Sequence, residues 1–216
     1  TKFIAEVSSN HNQDLDRCKK FIEIASKIGC DAVKFQLFKI DQLFSKEILS
    51  KSEDHRKRRN WELPNSYIKE LSHHCTKNKI KFACTPFYLE AVKDLKPYVD
   101  FFKIASYELL WDDLLKECAS TGKKVIISSG MATLDEIVHA VKVLKNNGCN
   151  KPEILHCVSS YPTPIKERNL SAMKTIRNKT NCQVGWSDHS KNPVVLHRAI
   201  NHWNAQIIEF HLDLDG

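Results

Sequence analysis

Short runs of β-branched, aliphatic and aromatic residues recur along the chain. They lie at Phe3–Val7, Ala32–Phe35, Lys81–Cys84, Phe101–Ala105, Lys124–Ser128, Glu153–Val158, Gln183–Trp186 and Gln206–His211. Each is apolar nearly throughout rather than strictly alternating, the pattern of parallel strands buried on both faces. Between the runs the spacing becomes helical. Leu15, Cys18, Phe21, Ile22 and Ala25 form a stripe that continues toward Ile28 and stops at Gly29, a C-cap residue. Ile68, Leu71 and Cys75 repeat the spacing, as do Ala91, Val92 and Leu95. A further stripe of Ile137, Ala140, Val141 and Leu144 starts behind Thr133, an N-cap residue, and stops before Gly148.

Strands alternating with helices leave two architectures, a closed (β/α)8 barrel or an open doubly wound sheet. An open sheet usually begins with a glycine-rich turn, whereas here the first turn is Ser8-Ser9-Asn10-His11-Asn12. Eight such units in 216 residues match the compact size of a barrel. The expected fold is therefore α/β, a (β/α)8 TIM barrel over residues 1–216. The eighth run ends close to Gly216, so the last helix is expected to be absent and the chain to be a piece of a longer protein. The missing initiator Met suggests the same at the other end.

Composition narrows the chemistry. With 42% hydrophobic and 27% charged residues the balance is that of a soluble globular domain. No apolar run reaches the roughly 18 to 20 residues of a membrane span, so no membrane is expected as partner. The six glycines form neither G-x-G-x-x-G nor G-x-x-x-x-G-K-[ST]; before Thr121-Gly122-Lys123 the required earlier glycine is Glu117. The net charge of +7 has one dense run, His55-Arg56-Lys57-Arg58-Arg59. Nucleic-acid binding would need that run repeated on one face with aromatics interleaved, so a solvated charged loop is the expectation and nucleic acid is excluded. Eight cysteines stand singly, with no C-x-x-C pair and no visible signal peptide, which reads as a reduced, cytoplasmic protein.

Polar residues collect where a barrel does its chemistry, at the C-terminal ends of the strands. In chain order these are Glu6; Lys34 and Gln36; Thr85, followed by Pro86 and Phe87; Lys103, Ser106 and Glu108; Ser128; His156, Ser159 and Tyr161; Ser187, Asp188 and His189; and Glu209 and His211. A lysine inside an apolar strand is costly unless an anion neutralises it, so Lys34 and Lys103 point to one phosphate or carboxylate site. Two histidines at the ends of adjacent strands, with no cysteine beside them, suit a divalent metal that keeps open positions. The glutamates can act as acid, base or metal-orienting groups. Taken alone, the constellation reads as a metal-assisted enzyme acting on a phosphorylated or carboxylated small molecule.

The same residues resemble the sialic acid synthase family. The motifs are Ile4-Ala5-Glu6 with Asn10-His11-Asn12, Asp31-Ala32-Val33-Lys34-Phe35-Gln36, Thr85-Pro86-Phe87, Phe102-Lys103-Ile104-Ala105-Ser106 and Ser129-Gly130-Met131-Ala132-Thr133. They continue with His156-Cys157-Val158-Ser159, Tyr161-Pro162-Thr163-Pro164, Gly185-Trp186-Ser187-Asp188-His189 and Glu209-Phe210-His211. The resemblance implies condensation of phosphoenolpyruvate with an open-chain N-acetylmannosamine-type aldehyde, giving a nonulosonic 2-keto acid and phosphate. It implies that Lys34, Thr85, Lys103, Ser106, Ser128 and Ser187 hold phosphoenolpyruvate. His189 and His211 would bind the cofactor, a divalent ion such as Mn2+ (or Mg2+ or Co2+), which polarises the aldehyde oxygen. Glu6, Glu108 and Glu209 would be catalytic, and Gln36, Phe87, Ser159, Tyr161 and Asp188 would line the substrates. It further implies a homodimer in the full-length protein, with a C-terminal antifreeze-like domain that this chain lacks.

The chain departs from the family pattern at Gln13, Tyr88, Tyr107 and Phe210. These positions alter the rim where the sugar would lie. They leave the acceptor open among precursors of neuraminate, legionaminate, pseudaminate and other surface sugars. Two further readings stay open: another metal-dependent barrel aldolase or hydrolase acting on a phosphorylated small molecule, and a non-catalytic sugar-binding barrel.

Overall fold

The computed structural model describes Thr1–Asp215. Gly216, the last residue of the expected barrel domain, lies outside the described residues. The strands are β1 (Lys2–Glu6), β2 (Ala32–Leu37), β3 (Lys81–Pro86), β4 (Phe101–Ile104), β5 (Lys124–Ser128), β6 (Glu153–His156), β7 (Gln183–Asp188) and β8 (Ile207–His211). They follow one another in chain order in a closed barrel, with parallel registers from β2 to β3 and from β4 through β8. The expected TIM barrel is correct. Strand limits move by one or two residues: β2, β3 and β7 run on through Gln36, Thr85 and Ser187, because ladder hydrogen bonds continue into the polar residues.

Two compact units make up the chain, one of Thr1–Ile4 with Phe101–His211, the other of Ala5–Asp100 with the residues from Leu212 on. The second holds β2 and β3 with α1 (Leu15–Lys27), α2 (Ile40–Leu43), α3 (Lys46–Lys51), α4 (Glu53–Lys57), α5 (Ile68–Lys77) and α6 (Leu89–Leu95). The first stripe is α1: it buries Cys18, Phe21, Ile22 and Ala25, and Asp14 caps it by accepting from the backbone N–H groups of Asp16 and Arg17 at 2.8 and 3.0 Å. Such a cap contributes about 1 kcal/mol. Gly29 at φ +86° closes the helix in the left-handed region, as its sequence position predicts.

The basic run is helical and not a loop, although Arg56, Lys57 and Arg59 are exposed as expected. Its first residues form α4, and Arg58–Trp61 is a 3-10 turn. The Arg58 guanidinium stands 5.6 Å from the Phe44 ring and 5.3 Å from the Trp61 ring, while Arg59 pairs with Asp41. Arg56 donates to the Leu49 carbonyl at 2.6 Å. Aromatic faces hold Arg58 and carbonyls hold Arg56, while Lys57 pairs with Glu53 in the open. Gln13 explains one family departure: it stands at φ +54°, a conformation that glycine adopts freely, and its amide donates to the carbonyls of Arg59 and Glu62 at 2.9 and 3.0 Å.

The other unit carries β4 to β8 with α7 (Asp112–Ser120), α8 (Leu134–Asn146), α9 (Ala172–Thr180) and α10 (Pro193–Asn201). The predicted Thr133 cap is a full capping box with Glu136. Gly185 lets β7 and β8 approach: a Cβ there would run into the Ile207 carbonyl. No helix follows β8 among the described residues. All eight cysteines are free thiols, and no described helix is long and apolar enough to cross a membrane.

Candidate active site

The two buried lysines are held in different ways, one in each unit. Lys34 projects from the middle of β2 and is 3% exposed, with its ammonium 2.8 Å from Glu6 Oε2 and 3.4 Å from Thr85 Oγ1. Gln36, two residues on and hence on the same face of the strand, donates to Glu6 Oε1 at 2.7 Å. Glu6, Lys34, Gln36 and Thr85 therefore form one connected polar cluster. Phe87 is not part of it. Its ring packs edge-on to Phe38 at 5.9 Å, against the apolar cluster of Phe38, Ile40 and Leu49.

In the other unit Lys103 projects from β4, 2% exposed, and donates to Ser128 Oγ at 2.6 Å. Glu209 Oε1 lies 3.7 Å from the same ammonium and accepts from Ser187 Oγ at 3.3 Å. Ser187 and Glu209 stand opposite each other in the β7–β8 ladder, which brings that pair together. Both lysines thus already have a carboxylate of the protein beside them. The cost of burying an unpaired ammonium does not by itself call for an external anion here.

Glu108 ends the 3-10 turn after β4 and is buried, where a loop glutamate would ordinarily meet water. Its Oε2 has no hydrogen-bond partner. Burial pushes the carboxyl up to about 7, against the opposing pull of its own backbone N–H and of the Lys103 charge. A carboxyl poised there exchanges protons near neutral pH.

The two histidines come together as expected. The rings of His189, just past β7, and His211, at the end of β8, lie 5.8 Å apart. Burial holds His189 below the ordinary imidazole range, so the ring is neutral near pH 7. Its Nδ1–H donates to the Val158 carbonyl at 2.7 Å, which leaves Nε2 as the ring's lone-pair atom. Tyr161 stacks on this ring at 4.0 Å and its hydroxyl donates to Nε2 at 3.0 Å. A neutral imidazole with a fixed tautomer and a second imidazole nearby fit a divalent ion as two ligands. Among the described residues no group of three or more His, Cys, Asp or Glu is placed to hold one. The acceptor that orients His189 is a backbone carbonyl, and Asp188 Oδ1 accepts from the Trp186 indole N–H at 2.9 Å and the Ser190 N–H at 3.2 Å. Asp188 anchors the loop that carries His189 and also lines the cavity beside it.

A cavity of about 630 Å³ opens beside these rings, lined by Tyr161, His189, Lys191, Phe210 and His211. A larger one of about 710 Å³ opens at the starts of β5, β6 and β7. There Lys2 and Lys124 pair with the buried Glu153 at 3.6 and 2.5 Å, so the charge closes on itself. The chemistry-bearing residues lie at the other ends of the strands. Around Ser106 the sequence reading missed two residues: Gly130, whose N–H donates to Ser106 Oγ at 3.1 Å, and Cys157, whose sulfur is 3.1 Å from that oxygen. Ser159 also borders Gly130. Both missed positions sit in recognised motifs, but a glycine and a thiol carry no charge signal.

Fold and site together define a (β/α)8 barrel protein with its ionisable residues gathered at the C-terminal ends of the strands. The sequence matches the NeuB family model over residues 21–216, and the chain belongs to that family. It is 43% identical to an uncharacterized protein of Methanocaldococcus jannaschii, over all of this chain and 63% of that protein. It is 39% identical to N,N'-diacetyllegionaminic acid synthase of Campylobacter jejuni, over all of this chain and 68% of that enzyme. Among solved structures, N-acetylneuraminic acid (sialic acid) synthetase from Leptospira borgpetersenii, crystallised with citrate, superposes with a TM-score of 0.91 at 33% identity, covering 99% of this chain and 73% of that one. The chain thus spans roughly two thirds of the length of these relatives.

Proposed function

We propose that the protein condenses phosphoenolpyruvate with an open-chain N-acetylated amino-sugar aldehyde, forming a nonulosonic 2-keto acid and inorganic phosphate. The observation that carries this reading is the cluster of Lys103, Ser128, Ser187 and Glu209, with a neutral, tautomer-fixed histidine in the same unit. Family membership and the synthases among its relatives support it.

In this reading C3 of phosphoenolpyruvate forms the new bond to the aldehyde carbon, and the aldehyde oxygen takes a proton. Water adds at C2, and phosphate leaves as the C2–O bond breaks. Lys103, with Ser128 and Ser187, neutralises the anion; Ser106 donates to it. Lys34 and Thr85 belong to the same substrate by resemblance to the family. Glu108, ionising near pH 7, supplies or removes a proton at the reacting centre. Glu209 pairs with Lys103 and accepts from Ser187, and Glu6 pairs with Lys34 and accepts from Gln36, so each carboxylate holds its neighbours in place. Bound at His189 and His211, a Mn2+ ion, or Mg2+ or Co2+ in its place, would polarise the aldehyde oxygen. A homodimeric, cytoplasmic enzyme completes the proposal.

The test is a product assay on the full-length protein with phosphoenolpyruvate, Mn2+ and a panel of N-acetylated hexosamines and diacetylated dideoxyhexoses. Phosphate release coupled to a nine-carbon keto acid in the mass spectrum is expected with one member of the panel. Absence of phosphate release with every aldehyde would reject the reading.

A further inference from the structure

Ser106 Oγ is approached from two sides by groups that follow other strands. Gly130, two residues past β5, donates its N–H at 3.1 Å, and Cys157, the residue after β6, places its sulfur at 3.1 Å. A Cβ at Gly130 would stand 2.5 Å from Ser159 Oγ, 2.7 Å from Ser106 Oγ and 3.0 Å from Cys157 Sγ. The three side chains therefore close around a stretch of backbone that only glycine leaves bare. Cys157 is 4% exposed, so its thiol does not look for partners in water.

We propose that Cys157 is a positioning residue: its thiol donates to Ser106 Oγ and thereby turns the serine proton toward a bound anion. This rests on the reading that Ser106 holds phosphoenolpyruvate. A serine oxygen has two lone pairs and one proton. Gly130 occupies one lone pair. With the thiol on the second, the hydroxyl is left with a proton to give and no lone pair turned outward. In the reverse sense the hydroxyl donates to sulfur and presents a lone pair, which repels an anion. A charged acceptor makes a stronger hydrogen bond than a thiol sulfur does, so anion binding selects the first arrangement. Without the thiol, the hydroxyl has an unfilled lone pair and a free rotor, and part of the anion's binding is spent on orienting it.

The experiment is calorimetric titration of the full-length protein with phosphoenolpyruvate, together with KM and kcat, on Cys157→Ala, Cys157→Ser and Ser106→Ala. Cys157→Ala is expected to raise both Kd and KM by about 3- to 10-fold, the scale of one hydrogen bond, with kcat unchanged. Cys157→Ser, which keeps a donor, is expected to restore both constants. Wild-type affinity in Cys157→Ala with weakened binding in Ser106→Ala would overturn the positioning role. So would a Cys157→Ser variant as weak as Cys157→Ala, because packing and not donation would then be at stake. Wild-type affinity in Ser106→Ala would overturn the assignment of Ser106 to the anion, and this inference with it.

Discussion

Replacing Glu108 by glutamine is expected to make the protein less active and, at alkaline pH, more stable. The buried carboxyl ionises at about 7 instead of 4.5, with burial as the first cause. At about 1.4 kcal/mol per pH unit that rise corresponds to about 3 kcal/mol. The sign follows from proton counting. Between pH 4.5 and about 7 the folded protein holds a proton on Glu108 that the unfolded chain has released, so stability falls as pH rises across that window. Glutamine has the same shape and nothing to titrate. At pH 4 the two proteins should unfold alike, because the wild-type carboxyl is protonated in both states. By pH 8 the variant should be the more stable by about 3 kcal/mol. Urea unfolding followed by circular dichroism at intervals from pH 4 to 8 measures the difference directly, and other titrating groups cancel in the comparison. Turnover should fall about 10²-fold or more if Glu108 handles a proton. Stability curves that run parallel across the whole pH range would refute the burial argument, whatever happens to activity.

Gly185→Ala should cost about 3 kcal/mol, near the upper end of overpacking, because its Cβ meets a backbone carbonyl that cannot swing aside; a denaturant midpoint within error of wild type would contradict this. Gly130→Ala should instead spare stability and weaken phosphoenolpyruvate binding, since the atoms in its way are hydroxyl and thiol ends that can rotate off position; thermal melting and calorimetry separate the two effects. His189→Ala with His211→Ala should abolish the tight component of Mn2+ binding seen by electron paramagnetic resonance, and an unchanged spectrum would place the ion elsewhere. For the wild type that binding should persist through the ordinary imidazole range and weaken only at lower pH, because burial holds the protonation of His189 below that range.

Much of this protein could be read from local pattern. Strand and helix positions follow from apolar spacing because a helix repeats its buried face every 3.6 residues, whereas a strand buried on both faces is a short run apolar throughout. A polar residue at the end of a buried apolar run is equally visible, which is why Lys34, Lys103, Ser187, His189 and His211 could be picked out before any coordinates. What each of them touches could not. Lys103 meets Glu209 across more than a hundred residues, and Lys34 meets Glu6 across twenty-eight. Those partners decide that neither lysine is a bare cation.

The same holds for the residues that were misread or missed. Asp188 lines the cavity beside the histidines, but only the fold shows that the Trp186 indole two residues back donates to its carboxylate. The run from His55 to Arg59 reads as a loop, but the fold makes it helical and sets Phe44, Trp61 and Asp41 beside its arginines. Glu108 sits in a loop by sequence and is buried by the fold, and only burial moves its carboxyl to about 7. Sequence by itself determined the order of elements and the types of group at the strand ends, because both depend on neighbours along the chain. Tertiary structure alone decided charge pairing, protonation and the close approach at Gly130, because each depends on which strands the barrel sets side by side and in what register.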